Sequence, residues 1–280
     1  MTSTISITII RIMNIQFSKK KDLNDSEILE NFEQITPDGK LYTGFKAMNY
    51  WADKRNVNID IAINNYILMY RKYDIYKDSS GLIDATMKIK NTFINNCFID
   101  HAYISEFSAI EIYGKTPTYA KLLYAKQSAD ENNIKDLIRE PVLKIKELIR
   151  NQNILAIGFI TPSIARNVQL ITEIQNAINT DLPIIKIDKI KNDYTVPQKT
   201  LKNTADRIEN AIKTFEVINQ EIPNKILLID DFIGSGSSLN FVAEKIKKIN
   251  PNCIINCFAI AGTPNGIINN SNKYEVISEI

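Results

Sequence analysis

The segment Lys225 to Leu239 reads KILLIDDFIGSGSSL. Its apolar run, Ile226 to Ile229, shows no polar alternation, which predicts a strand buried on both faces, as in the middle of a parallel sheet. The run ends in Asp230 and Asp231. These lead into Gly234, Ser235, Gly236, Ser237 and Ser238, small residues that let a backbone turn tightly and aim several N–H groups and hydroxyls at one point. Leu239, Val242, Ala243, Ile246 and Ile249 then recur at helical spacing, so the loop is expected at a helix N-terminus, where the dipole favours an anion. The order is strand, acidic pair, small-residue loop, helix.

A phosphate is held by N–H and hydroxyl donors, whereas the hydroxyls of a ribose are held by carboxylate acceptors. A sugar phosphate calls for both groups close together. A P-loop would read G-x-x-x-x-G-K-[ST], and its lysine is missing here. A dinucleotide fingerprint would set its glycines before the helix and its acid far downstream, while here the acids come first. A turn whose acids and serines only cap the helix is the plainer alternative. The segment closely resembles the 5-phosphoribosyl-1-pyrophosphate (PRPP) motif of the type I phosphoribosyltransferases: hydrophobic strand, Asp-Asp, a short spacer, then a hydroxyl residue, glycine and further hydroxyls.

Composition narrows the remaining possibilities. The 280 residues suffice for one large domain or a domain with a sizeable extension, and 44% hydrophobic content is ample for a core. A net charge of +2 and short basic runs, such as Lys19 to Lys21, do not mark a nucleic-acid binder. Three cysteines with no C-x-x-C and a single histidine, His101, argue for a reducing cytoplasm and against a zinc site of the usual ligands. With one histidine, a Ser-His-Asp or Cys-His mechanism would have to pass through His101, far in sequence from any nucleophile elbow. No apolar run approaches a membrane span, and Ile5 to Ile10 reads as a strand, not a signal peptide.

From Met1 to about Asp100 the chain carries no catalytic motif. A strand is expected at Ile5 to Ile12, and a helix from a cap at Asp25 or Ser26 to Gln34. A turn is expected at Thr36 to Gly39, and further helices at Thr43 to Lys54, Ile59 to Tyr70 and Gly81 to Phe93. Tyr42, Phe45, Tyr50, Trp51, Tyr66, Tyr70, Tyr73 and Tyr76 make this region aromatic, which reads as core or as a surface for a protein partner or self-association, with base stacking the sharper alternative. After a junction at Tyr113 to Pro117, amphipathic helices are expected over Tyr119 to Lys126 and Ile134 to Ile149. Strands follow at Ile154 to Ile160, Pro183 to Ile187, Ile226 to Ile229 and Cys253 to Ala261, with a helix from Ile164 to Ile178. Strands alternating with helices imply α/β architecture with a parallel sheet, whose ligands lie beyond the carboxyl ends of the strands. Thr161-Pro162-Ser163, Asp230 to Ser238 and Gly262-Thr263 all emerge at that edge. The expected division is 1–112, mainly helical, and 113–280, the α/β domain.

A second signature sharpens the resemblance. Thr195, Gln198, Lys199 and Leu201, with Arg207, Asn210 and Phe215 downstream, look like the loop pattern of the ComF group, the competence-associated amidophosphoribosyltransferase-like proteins. The Tyr119 to Lys126 helix looks like that group's lysine-containing helix. The resemblance covers about 113–263. The long helical preface is reminiscent of phosphoribosyltransferase-like effectors of bacterial conflict systems, including retron-associated ones, at the level of architecture only.

The resemblance implies a type I phosphoribosyltransferase fold in which Asp230 and Asp231 are the catalytic acids. They would bind the ribose hydroxyls and hold Mg²⁺ through water. Gly234 to Ser238 would take the 5-phosphate, Thr161, Pro162, Ser163 and Arg166 the pyrophosphate, and Gln198, Lys199 and Arg207 would sit on a lid. The implied activity is transfer of the phosphoribosyl group from PRPP with release of pyrophosphate. Gly234 departs from the purine-salvage members that carry an Asp there for general-base work, and the pyrophosphate loop offers one cation, Arg166. Two alternatives share the pocket: a non-catalytic or toxin-like regulator within a defence system, and a hydrolase of the nucleotide glycosidic bond.

Overall fold

The structure is a computed structural model, and it describes residues 23–38, 40–128, 130–161, 168–189 and 215–268. The first helix, α1 (Asp25–Glu30), is capped by Asn24, one residue ahead of the first expected cap, Asp25. The Asn24 side chain accepts from the Glu27 N–H while the Glu27 carboxylate accepts from the Asn24 N–H, which closes a capping box. The helix stops at Glu30, short of Gln34, because β1 (Glu33–Ile35) pairs with β2 (Leu41–Thr43) across the expected turn. Then α2 (Gly44–Asp53) and α3 (Ile59–Asp74) follow the apolar periodicity, the second capped by the Asn58 side chain. The helix expected over Gly81 to Phe93 divides into β3 (Ile83–Asp84) and α4 (Thr86–Thr92), the Asp84 carboxylate accepting the Thr86 N–H where the helix starts.

Next come β4 (His101–Phe107), a small hairpin of β5 (Ala109–Ile110) and β6 (Gly114–Lys115), and the helices α5 (Pro117–Ser128) and α6 (Glu131–Asn151). The α/β portion continues with β7 (Ala156–Phe159), α7 (Leu170–Ile178), β8 (Ile184–Ile185) and β9 (Ile187–Lys189). It closes with β10 (Phe215–Val217), β11 (Lys225–Ile233), α8 (Ser237–Ile249) and β12 (Ile254–Gly262). The main sheet runs β3-β4-β12-β11-β7-β8, five parallel strands with β3 antiparallel at one edge. β9 and β10 pair separately.

The sheet is buried on both faces, as the missing alternation in β11 requires. Ile226 and Leu228 face a core with Val242 and Ile246 of α8, Ile89 of α4 and the apolar faces of α1 to α3. Leu227 and Ile229 face a second core with Leu122 of α5, Ile145 of α6 and Ile174 of α7. Helices therefore cover both sides of a mixed sheet, an α/β architecture.

The boundary expected at 112 does not separate two cores. β3 and β4 come from before it, β4 pairs with β12 along six registered positions, and residues from Ile28 to Tyr113 share one apolar cluster with Leu228 and Cys257. Most of the aromatic stripe is part of this core. Trp51, Tyr66 and Tyr73 are buried, Trp51 stacks on Tyr113 at 4.8 Å between ring centroids, Tyr42, Tyr50, Tyr70 and Tyr76 are half-buried, and Phe45 is exposed. Among the described residues no helix is long and apolar enough to cross a membrane.

Candidate active site

β11 extends beyond the acids that were expected to end it. Asp230 keeps its pairing with Ala259, and Phe232 and Ile233 continue the ladder opposite Ala261 and Gly262. Neighbouring side chains on an extended strand point to opposite faces, so the two carboxylates diverge. Asp231 turns to α5, where its Oδ2 lies 2.6 Å from Lys126 Nζ. Phe232 also turns to α5 and stacks on Tyr119 with ring centroids 5.1 Å apart, so alternation is lost at the strand's end. Asp230 lies on the face of Ile226 and Leu228, toward Lys189 of β9, and its Oδ1 accepts the Asp231 N–H at 2.7 Å.

The environments of the two acids differ accordingly. Burial, followed by the charge of Asp231, pushes the Asp230 carboxyl well above the usual carboxylate range; the Asp231 N–H, Lys126 and Lys189 oppose this without cancelling it. Lys189 is held below the ordinary lysine range by burial, with Asp230 acting the other way. Carboxyls displaced in this way cluster at functional sites, as they also do in structural ion-pair networks.

The loop beyond the acids is shaped by Gly236. Its φ of +81° is left-handed, and a Cβ there would lie 2.9 Å from both Cγ1 and Cδ1 of Ile89, so a side chain is excluded by backbone and by packing. Gly234 has no such constraint; a Cβ would meet only the Phe232 ring, at 3.6 Å. Gly236 is also the N-cap of α8 and has no side chain to offer the first-turn amides. Ser235 comes nearest to capping, with its Oγ 2.6 Å from Ser237 Oγ and 3.4 Å from the Ser237 N–H. Neither aspartate caps the helix, whereas the Ser235 hydroxyl does reach its first amide. α8 is held from behind by the buried Asn240, whose side chain accepts the Phe98 N–H and donates to the Asn96 carbonyl.

The chain brings several expected parts to this edge. Ile160 donates its N–H to the Ile229 carbonyl, so Thr161 follows directly beside the acids. Its hydroxyl, however, donates to the Ile187 carbonyl at 2.5 Å and so braces β9. Thr263, at the end of β12, donates its N–H to the Ile233 carbonyl at 3.1 Å. Pro162, Ser163 and Arg166 of the expected pyrophosphate loop, and Gln198, Lys199 and Arg207 of the expected lid, lie outside the described residues.

Lysines that the motif did not reveal also reach the edge. Lys189 lies over the Phe215 ring at 5.6 Å and within reach of the charge of Asp230, and Lys88 of α4 donates to the Thr263 hydroxyl across 175 positions of sequence. No local pattern signals either one. A cavity of about 340 Å³, lined by Tyr66, Tyr70, Lys77, Glu106 and Tyr113 among others, lies beside β4 and contains neither the acids nor the loop. Acids, loop and helix mouth converge instead at the carboxyl end of β11. Neither a protein-family model nor a curated protein matches the chain.

Proposed function

We propose that this chain is a type I phosphoribosyltransferase-like protein, nearest in pattern to the ComF group, that binds PRPP or a related ribose 5-phosphate and transfers the phosphoribosyl group with release of pyrophosphate. The observation that carries the reading is the meeting, at the end of the central parallel strand, of an acidic pair and a glycine-serine loop at a helix mouth whose N-cap residue, Gly236, has no side chain. The loop and the first amides of α8 are suited to a phosphate. Asp230 is suited to the ribose hydroxyls, because it lacks full compensation from the cations around it. Asp231 keeps one oxygen toward Lys126 and has a second for a hydroxyl or a bound water.

An uncompensated carboxyl at Asp230 beside the free oxygen of Asp231 also suits Mg²⁺, a hard cation that takes oxygen ligands and retains several waters. Asp230 and Asp231 would hold it, and the ion would neutralise charge on the departing pyrophosphate. The protein's own part is positioning: acids on the ribose, the loop on the phosphate, and Lys126 holding Asp231 in its orientation. Gly234 provides no general base, so proton removal from an acceptor does not fall to that position. The Lys126–Asp231 ion pair favours one rival, binding without turnover, because it already engages an oxygen of the pair.

Calorimetric titration with PRPP and Mg²⁺ tests the reading. The wild-type protein is expected to bind, and Asp230→Asn/Asp231→Asn to lose about tenfold or more in affinity, the size of one or two charge-assisted hydrogen bonds. Equal affinity in both proteins would remove the ribose contact. Pyrophosphate release on incubation with PRPP separates turnover from binding alone.

A further inference from the structure

Two charged side chains are buried among the described residues, Lys88 and Lys144. Lys144 is compensated: its ammonium lies 2.8 Å from the Glu140 carboxylate and also donates to the Gly81 carbonyl and the Ser105 hydroxyl. Lys88, only 7% exposed, has no carboxylate partner among the described residues. Its Nζ donates to the Thr263 hydroxyl at 2.6 Å and to the Asn265 carbonyl. Burial holds its pKa below the ordinary lysine range, and no neighbouring acid offsets the effect. Burying an ammonium with neutral oxygens alone is unfavourable, and a counter-anion is the group that would relieve it.

The surroundings of Lys88 indicate where that anion would sit. Ile89, the next residue of α4, packs on Gly236, so close that no side chain could replace the glycine. Thr263, which accepts one Lys88 hydrogen, donates its N–H to the carbonyl of Ile233, the residue before Gly234. The start of α4 thus meets the loop's surroundings at two places: Ile89 packs on Gly236, and Lys88 connects through Thr263 to the carbonyl of Ile233. The segment Gly234 to Ser238 contains no cation of its own. Lys126 is engaged by Asp231, and Lys189 lies within reach of the charge of Asp230. A lysine ammonium has three donors, and the two oxygens on Lys88 leave one for a ligand.

We propose that Lys88 is the cation of the phosphate loop: its ammonium binds the phosphate monoester dianion of the ribose ligand, so that α4, from the segment before residue 113, completes a site otherwise built from β11 and α8. This inference rests on the ribose-phosphate reading above. It assigns the first part of the chain a direct role in binding, which the motif by itself does not contain.

Full-length wild type, Lys88→Met and Lys88→Gln are to be titrated calorimetrically with ribose 5-phosphate, inorganic phosphate and unphosphorylated ribose, with melting temperatures recorded in phosphate-free buffer. Both variants are expected to lose about 10- to 100-fold in affinity for ribose 5-phosphate, the span of one charge-assisted hydrogen bond, and to lose the response to inorganic phosphate. Ribose affinity should be unchanged, and ligand-free melting temperature unchanged or higher. Lys88→Gln keeps a donor for Thr263 or Asn265, so it reads out the charge even if Lys88→Met fails to fold. Ribose 5-phosphate affinity within twofold of wild type would overturn the role of Lys88 while leaving the ribose-phosphate reading intact. A parallel fall in ribose affinity and melting temperature would also overturn it, by showing a purely structural tie. Absence of ribose 5-phosphate binding in the wild type would remove both.

Discussion

Replacing Gly236 by alanine should destabilise the fold by about 2 to 4 kcal/mol, and the structure separates the two sources. The residue sits at φ +81°, where an L side chain costs about 1 kcal/mol or somewhat more through its clash with the backbone. The new Cβ would also stand 2.9 Å from two atoms of Ile89, whose side chain is fully buried and has little room to withdraw; overpacking of this kind costs about 1 to 3 kcal/mol. Urea denaturation of Gly236→Ala, Ile89→Ala and the double variant resolves the terms. Ile89→Ala alone should cost about 2 to 5 kcal/mol through the cavity it leaves. In the double variant the steric part vanishes, so the two changes should couple favourably by about 1 to 3 kcal/mol while the backbone part persists. Gly236→Ala should also weaken ribose 5-phosphate binding, because relief of the clash moves the loop away from the mouth of α8. A Gly236→Ala protein within about 0.5 kcal/mol of wild type, or additive costs in the cycle, would refute this account of the loop.

Two further outcomes follow from the acidic pair. The folded Asp230 carboxyl is held above its unfolded value near 4, so the folded protein retains a proton that the unfolded chain has released; stability should fall as pH rises from about 4 through the folded value. Asp230→Asn keeps the acceptor for the Asp231 N–H but removes the charge, and should raise the melting temperature by a few degrees at pH 8, about 1 to 2 kcal/mol, with no gain at pH 4; a gain of equal size at both pH values would contradict it. Lys126→Met breaks a partly exposed ion pair and, above the pH at which Asp230 ionises, leaves the charge of Asp231 uncompensated beside that of Asp230, so it should cost about 1 to 2 kcal/mol at pH 9. Most of that cost should disappear in an Asp230→Asn background, as measured by a thermal double-mutant cycle; an undiminished cost would show that Lys126 acts through packing.

The elements that carry the site were legible because their signals are local. Unbroken apolarity predicted a doubly buried strand at Ile226 to Ile229, glycines and serines predicted the turn, and the spacing from Leu239 to Ile249 predicted α8. Signals spread over few residues failed. β3 is two residues long, and β4 reads HAYISEF, with a burial pattern set by a neighbouring strand and the helices above it instead of by alternation. The first half of the chain therefore looked like a helical preface, although it supplies two strands to the sheet and shares its core.

The sequence by itself determined an α/β chain with an acidic pair and a small-residue loop in register with a helix, since each of these depends on residues within a few positions of one another. Only the tertiary structure decided which charges meet. Asp231 faces Lys126, Asp230 lies within reach of the charge of Lys189 without full compensation, and Lys88 reaches Thr263 from the far end of the chain. Such pairings depend on which faces of distant elements pack together, and no spacing along the chain records that.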